Sequence, residues 1–298
     1  MSIRAHLLST ALLLPSLAAA NSGPSVEQER AASAFVASLH FRDGDIAIPS
    51  ADAQLHLSKQ FRYLEKADAR RVLEQMWGNP PDDSVLGLVV PADTPLTDGH
   101  SWAAVVTYND DGYISDKDAA DIDYDDMMSD LKEADVEDNK ERKKQGYEAL
   151  NLIGWAEAPR YDQVGKKLYW AKELHAADAD GNTLNYDIRV LGRRGHLSLN
   201  AVAAMDDLPA VRKGMQGLLP MVEFEQGARY ADYDAKTDKL ATYGLAALVG
   251  GGVAAKAGLF GKLGLLLLKA WKLVALAVAG LIAMIGKLFT RKNKGVVS

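Results

Sequence analysis

The sequence contains no cysteine among its 298 residues. This absence excludes disulfide bonds, thiolate zinc sites and a cysteine nucleophile. The five histidines that follow residue 20 are scattered, and none forms the closely spaced pair of a zinc-hydrolase motif. The sequence also lacks a GxSxG nucleophile turn and a glycine-rich phosphate loop. We therefore predict no catalytic residues and no cofactor, although a Ser-His-Asp triad assembled from distant residues stays open.

Acidic residues are missing from both ends of the chain. All 40 Asp and Glu residues lie between residues 21 and 240, together with 25 of the 34 Lys and Arg residues. This region has a net charge of −15, which disfavours a nucleic-acid partner because it repels phosphate. The residues after 240 contain eight Lys or Arg and no acidic residue. This positive charge favours contact with anionic lipid.

The first 20 residues have the pattern of a secretory signal peptide. Arg4 lies in a basic start, residues 7–17 form an apolar run that contains Pro15, and residues 18–20 are small alanines suited to cleavage. The alternative is an N-terminal anchor helix, but the apolar run is short for a membrane span. We expect residues 1–20 to be removed and the rest of the chain to be exported.

A second apolar region, residues 240–289, is predicted to be a membrane anchor. Its main span is placed at residues 269–289, which would extend about 31 Å as a helix at ~1.5 Å per residue, enough to cross a bilayer. The basic residues 290–298 would then form a cytoplasmic tail. Two alternatives stay open: a hairpin of two spans that turns near residues 258–261, and a buried soluble helical hairpin.

Residues 21–239 have the pattern of one acidic α+β domain. Alternating apolar residues from Leu184 to Val190 predict a strand, and turns join it to a strand on either side, which makes an antiparallel β-meander. Asp123 is predicted to cap one helix. Further helices are predicted at residues 26–39, 67–77, 136–144 and 206–218. The predicted fold class is therefore α+β: an antiparallel β-meander with flanking helices, plus a C-terminal transmembrane helix.

The most acidic part of the chain is residues 110–138, where 13 Asp or Glu residues accompany only two lysines. Carboxylates of this kind could bind Ca²⁺ through their oxygen atoms. The candidate ligands are Asp116, Asp118, Asp121 and Asp123. The alternative, which we favour, is a solvated helix start whose acidic residues complement the helix dipole. We therefore predict no metal site.

Aromatic and polar residues of the meander could line a groove for a peptide or a glycan. The candidate binding residues are Tyr161, Asp162, Trp170, Asn185 and Arg189. The alternative is that the aromatic rings pack on the sheet and that Arg189 pairs with Asp162 or Asp187. We favour this packing, and the polar members of the set are the first choices for mutagenesis.

Several short motifs occur in an order that resembles one known family. They are Gly112-Tyr113-Ile114, Gly154-Trp155, Tyr161-Asp162, Leu168-Tyr169-Trp170-Ala171, Leu184-Asn185-Tyr186 with Arg189, Leu191-Gly192-Arg193, Gly227-Ala228-Arg229-Tyr230 and Tyr243-Gly244-Leu245-Ala246. Over residues 41–287 the chain resembles the DUF2167 family of predicted membrane-anchored bacterial proteins. The resemblance implies an exported domain with a C-terminal membrane segment, and it brings no established activity and no catalytic residues.

The sequence thus predicts an envelope protein of the bacterial cytoplasmic (inner) membrane, with its main domain on the periplasmic side. The lipid bilayer is the expected partner, and an envelope protein, peptide or glycan is a further possible partner. We expect a binding, scaffold or stress-related module rather than an enzyme. The alternative is a membrane-tethered hydrolase or a cation-dependent enzyme.

Overall fold

The computed structural model of the chain describes residues 26–144, 149–176 and 180–250. The helices are α1 (Val26–Ala37), α2 (Lys66–Arg70, continued by a π-helical stretch, Arg71–Met76), α3 (Tyr124–Lys144), α4 (Leu208–Leu218) and α5 (Leu245–Gly250). The strands are β1 (Phe41–Arg42), β2 (Asp45–Ile48), β3 (Ala53–His56), β4 (Phe61–Glu65), β5 (Gly87–Pro91), β6 (Ala103–Asn109), β7 (Leu150–Asp162), β8 (Lys167–Ala176), β9 (Asn182–Leu191), β10 (His196–Ala204) and β11 (Val222–Phe224).

Two antiparallel sheets organise the described residues. The larger sheet has the strand order β1-β4-β5-β6-β10-β9-β8-β7, and the smaller sheet has the order β11-β3-β2. Strands β7 to β10 are consecutive in the chain and adjacent in the sheet, so the predicted antiparallel meander is confirmed and gains one strand. The α+β class with helices beside an antiparallel sheet is likewise confirmed.

The predicted signal peptide and the predicted main span at residues 269–289 lie outside the described residues. Among the helices that are described, none has both the length and the apolar character needed to cross a bilayer.

Helix α3 begins where the sequence predicts and continues farther than expected. Asp123 Oδ1 accepts the backbone N–H groups of Asp125 and Asp126, each at 3.0 Å, so the predicted cap is confirmed. The separate helical piece predicted at residues 136–144 is wrong, because α3 is continuous to Lys144. Its acidic first turn and basic last turn both suit the dipole of a single helix.

Strands β4 and β11, and the pairing that forms the smaller sheet, were not predicted. In β4, Phe61, Tyr63 and Leu64 are 4%, 2% and 0% exposed, so apolar residues occupy both faces of this interior strand and the period of two is obscured. Strand β11 has only three residues and is too short to show a pattern. Both strands therefore depend on long-range pairing.

Three apolar clusters pack on the larger sheet, and two of them share a face. The cluster on the first face joins β9 and β10 to α4 and the smaller sheet; its members include Leu184, Tyr186, Ile188, Leu199, Val211, Met215 and Leu218. On the opposite face, the α2 cluster includes Leu64, Val72, Leu73, Leu88, Ala103 and Val105. The α5 cluster on that same face includes Ile114, Met127, Leu168, Trp170, Leu191, Leu245 and Val249. The part of β9 and β10 between these two clusters carries polar side chains.

Residues 240–250 pack as part of the domain. Ala241, Leu245 and Val249 are 8%, 0% and 2% exposed and belong to the α5 cluster. The sequence-based boundary at residue 240, which assigned these residues to the membrane anchor, is therefore corrected by the structure. The reason is physical: the apolar side chains of this short helix cover the cluster beside β8.

A short backbone bridge also fixes this segment to the domain. Tyr113 donates its N–H to the oxygen of Lys239 and accepts the N–H of Ala241, both at 2.8 Å. The bridge requires a close approach at Gly112, where an added Cβ would lie 2.7 Å from the Lys239 oxygen. Gly112 also has a φ of +105°, a conformation that glycine adopts without strain.

Replacing Leu245 with alanine tests the packing of residues 240–250. We expect the free energy of unfolding to fall by about 2–5 kcal/mol, because the change leaves a cavity in the α5 cluster. The matched control is Leu240→Ala, since Leu240 is 55% exposed, and its effect should stay within about 0.5 kcal/mol. Denaturant unfolding of the full chain in a mild detergent measures both, and equal effects would contradict the packing.

Candidate functional site

A set of polar residues lies on the larger sheet between the α2 cluster and the α5 cluster. The strand register pairs Lys172 with Asn185, Asp187 with Asn200, and Arg189 with Ser198. Residues paired across antiparallel strands share a face, with Cβ atoms about 5 Å apart. We call this set the polar strip; its members are Lys172, Asn185, Asp187, Arg189, Ser198 and Asn200.

Asp187 is the only carboxylate of the polar strip, and its charge is already paired. Its Oδ1 atom lies 2.8 Å from Arg189 Nη1 and accepts a hydrogen bond from Asn200 Nδ2 at 2.9 Å. The side chain of Asp187 is only 5% exposed, and these two contacts, both to Oδ1, stabilise a buried anion. Arg189 also donates to Ser198 Oγ at 2.5 Å, and its guanidinium lies 5.1 Å from the centre of the Trp170 ring.

Lys172 has no carboxylate in contact within the described residues. Among the described residues, its ammonium donates one hydrogen bond, to the backbone oxygen of Val249 at 3.3 Å. Burial lowers the pKa of Lys172, and the nearby charge of Asp187 opposes that change only in part. An ammonium that is partly removed from water without a carboxylate costs free energy. The polar strip therefore contains two basic side chains and one carboxylate.

Two buried ring nitrogens at the border of the polar strip lack a hydrogen-bond partner within the described residues. They are Trp170 Nε1 and His196 Nδ1, in side chains that are 1% and 4% exposed. The other ring nitrogen of His196 lies 3.2 Å from Asn109 Nδ2, which donates to it. Burial, with a contribution from the charge of Arg189, lowers the pKa of His196 to about 3, so the ring is neutral at pH 7.

The structure brings three of the five predicted binding residues together. Trp170, Asn185 and Arg189 lie on the same face of β8 and β9. Of the two pairings considered for Arg189, the structure shows the one with Asp187. The aromatic ring of Trp170 packs in the α5 cluster, as the packing alternative requires, while Asn185 and Arg189 belong to the polar strip.

The other two predicted binding residues lie away from the polar strip. Tyr161 donates to Asp116 Oδ2 at 2.7 Å. Asp162 accepts the backbone N–H groups of Val164 and Gly165, each at 3.0 Å, and so shapes the turn between β7 and β8. The hydrogen bonds of Tyr161 and Asp162 thus stabilise the fold.

Lys172, Asp187, Ser198 and Asn200 were not among the predicted site residues. The signal that points to them is the polar half of the alternation along β8, β9 and β10. Polar residues at every second position ordinarily indicate a face in contact with water. Only the register and the two flanking clusters show that this face is enclosed on both sides.

The four candidate calcium ligands make separate contacts within the protein. Burial alone would raise the pKa of Asp116, but hydrogen bonds from Lys166, at 2.7 Å, and from Tyr161 hold it below its usual value. Asp118 accepts the N–H of Leu245 at 3.4 Å, Asp123 caps α3, and Asp121 ends a single 3-10 turn. In the part of the chain that is described, no group of three or more His, Cys, Asp or Glu side chains could hold a metal ion.

Ser198, His196 and Asp187 lie on neighbouring positions of β9 and β10, but their contacts do not form a catalytic relay. Ser198 accepts from Arg189, His196 contacts Asn109, and Asp187 contacts Arg189 and Asn200. Within residues 26–144, 149–176 and 180–250, no hydrogen bond joins His196 to Ser198 or to Asp187. A relay needs both of those bonds.

One family model matches residues 40–281, and its description is DUF2167, protein of unknown function. The chain belongs to the DUF2167 family. The resemblance drawn from the sequence motifs is thereby confirmed, and the DUF2167 match includes the whole meander and the polar strip. No curated protein matches the chain in sequence.

Two solved structures are similar to this DUF2167 chain. The solution structure of cyanobacterial PsbP (CyanoP) from Synechocystis is 11% identical, with a TM-score of 0.35, and the match covers 70% of this chain and 99% of that one. The crystal structure of the Ran-binding protein Mog1p from Saccharomyces cerevisiae is 11% identical, with a TM-score of 0.35, and covers 62% of this chain and 96% of that one. No functional statement follows from similarities at this level.

The buried neutral His196 predicts a pH dependence of stability. As pH falls below 6.5 the unfolded chain binds a proton at this residue, whereas the folded chain does not until its pKa near 3. This one group should therefore lower the free energy of unfolding by about 2 kcal/mol between pH 7 and pH 5, at ~1.4 kcal/mol per pH unit. Denaturant unfolding at the two pH values measures the loss.

The matched variant for this measurement is His196→Gln, which keeps a group able to accept from Asn109 and cannot titrate. Its loss of stability between the two pH values should be smaller than that of the wild type by the same amount. An equal loss in both proteins would contradict the burial of a neutral His196.

Proposed function

We propose that the chain is a membrane-anchored binding or scaffold module of the bacterial envelope and that the polar strip contacts its ligand. The observation that carries this proposal is the enclosed polar strip, with one cation in excess and no catalytic relay among the described residues. Binding sites combine apolar walls with a few placed polar groups, and the α2 and α5 clusters supply such walls. The cost of keeping a cation there is offset when a ligand binds.

The envelope location in this proposal is supported by the sequence pattern. Residues 1–20 resemble a signal peptide, and residues 269–289 have the length and composition of one span. Helix α5 comprises Leu245–Gly250, and Val249 contacts Lys172, so the proposed anchor region follows a segment that packs beside the polar strip. The domain then lies on the periplasmic side of the inner membrane.

The proposed partners are the lipid bilayer and an envelope protein, peptide or glycan. A nucleic-acid partner is disfavoured by the net charge of −15 over residues 21–240. The alternative of a tethered hydrolase or cation-dependent enzyme gains no support from the contacts of the described residues.

Cell fractionation tests the proposed location. The full chain, expressed in a Gram-negative host, is expected in the inner-membrane fraction, and protease added to spheroplasts should digest its domain. A chain that ends at Gly250 should appear in the soluble periplasmic fraction, since it keeps α5 and lacks the proposed span. A reporter that is active only in the periplasm should be silent when fused after Ser298.

The control for export is the chain without residues 1–20, which should resist protease in spheroplasts. Recovery of the full chain in a soluble fraction would contradict the anchor. A periplasmic reporter signal after Ser298 would contradict the single span.

A further inference from the structure

We propose that the polar strip binds an oxyanion, a carboxylate or phosphate group of its ligand, beside Lys172. This inference rests on the proposed function and deepens it, because it names the chemistry of the ligand at the same site.

The polar strip contains two basic side chains and one carboxylate. The carboxylate of Asp187 is taken by Arg189 at 2.8 Å and by Asn200 at 2.9 Å. Lys172 donates only to the backbone oxygen of Val249, within the described residues, at 3.3 Å. An ammonium has three N–H donors, so Lys172 keeps two for a ligand. An anion at this place would neutralise the excess positive charge.

Unused donors lie on the same face of the sheet as Lys172. Trp170, the preceding residue on the same face of β8, is 1% exposed, and its Nε1 has no acceptor among the described residues. Within the described residues, Arg189 uses only Nη1 in its contacts with Asp187, Ser198 and the backbone. Its Nε and Nη2 donors are therefore available to a ligand. Oxyanions accept several such bonds, and those from charged donors are the strongest.

Among the described residues, the carboxylates that follow in the chain or lie near α5 do not provide the anion. Residues 241–298 contain no Asp or Glu. Three aspartates of residues 110–118 are already engaged, since Asp111 accepts from Tyr243, Asp116 pairs with Lys166 and Asp118 accepts the N–H of Leu245. Glu173, which follows Lys172 in β8, accepts a hydrogen bond from Asn182. The oxyanion is therefore expected from a ligand.

An oxyanion at this site has two possible sources, a small soluble molecule and the headgroup of an anionic lipid. The full chain in neutral detergent is titrated with sodium phosphate and with sodium acetate, while Tm is followed against sodium chloride at the same ionic strength. A separate arm uses phosphatidylcholine vesicles with and without phosphatidylglycerol. A rise in Tm with the free anions identifies a soluble source, and a rise with phosphatidylglycerol alone identifies the lipid headgroup.

Two variants assign the effect to the polar strip. Lys172→Met should weaken binding by about tenfold or more, because it removes the cation and keeps the aliphatic chain. The matched control is Lys132→Met, which removes the same charge from an exposed position on α3 and should bind like the wild type. The variant Lys172→Arg keeps a cation and should retain binding.

The indole N–H signal of Trp170 gives a readout that needs no variant at Lys172. In a ¹⁵N NMR spectrum of the wild type this signal, assigned with Trp170→Phe, should shift on binding. The proposal is overturned if no arm binds, or if Lys172→Met binds like the wild type and the Trp170 signal stays unchanged. Fractionation tests the envelope location without any added anion. A failure to bind oxyanions can therefore be distinguished from a failure of the proposed envelope location.

Discussion

The register between β8, β9 and β10 is the constraint on which the rest of the structure depends. Side chains alternate between the two faces of a strand, so a slip of one residue would exchange the two sets. The present register places Leu184, Tyr186 and Ile188 against α4 and the smaller sheet. The same register assembles Lys172, Asp187 and Arg189 on the opposite face. The main core and the polar strip are therefore two results of one pairing.

The polar strip is enclosed because apolar clusters lie on both sides of it. The α2 cluster ends at Val105 and Ala103, and the α5 cluster begins at Trp170 and Leu168. In between, Asp187 Oδ1 contacts Arg189 and Asn200, while Lys172 has no carboxylate partner among the described residues. Buried charges are ordinarily paired, since an unpaired charge costs more free energy than a neutral side chain of similar shape. The exception at Lys172 is the feature from which the proposed binding function is argued.

Local pattern was sufficient to predict much of the fold. The alternation of apolar and polar residues predicted β9 and its neighbours. Asp123 indicated the start of α3, and Pro209 lies at the start of the predicted helix α4. These features depend on residues close together in the sequence. Strand β4 and the place of residues 240–250 depend on contacts between distant segments, such as that of Tyr113 with Lys239, so their own residues do not show them.

The candidate site was predictable only in part. Trp170, Asn185 and Arg189 were selected because aromatic and polar residues alternate along the meander. Lys172 and Asn200 carry no distinguishing pattern of their own, since a polar residue at an alternate position ordinarily faces water. What makes them part of a site is the pair of clusters around them, and that is a property of the packed sheet.

The most direct test of the central claim, that Lys172 is kept for binding at a cost to the fold, is the stability of Lys172→Met without any added oxyanion. We expect its free energy of unfolding to exceed that of the wild type by about 1–2 kcal/mol, because methionine keeps the aliphatic contacts and removes a poorly paired ammonium. Lys132→Met should change it by less than about 0.5 kcal/mol. A Lys172→Met protein that is less stable than the wild type would show that the ammonium stabilises the fold, and would contradict the claim.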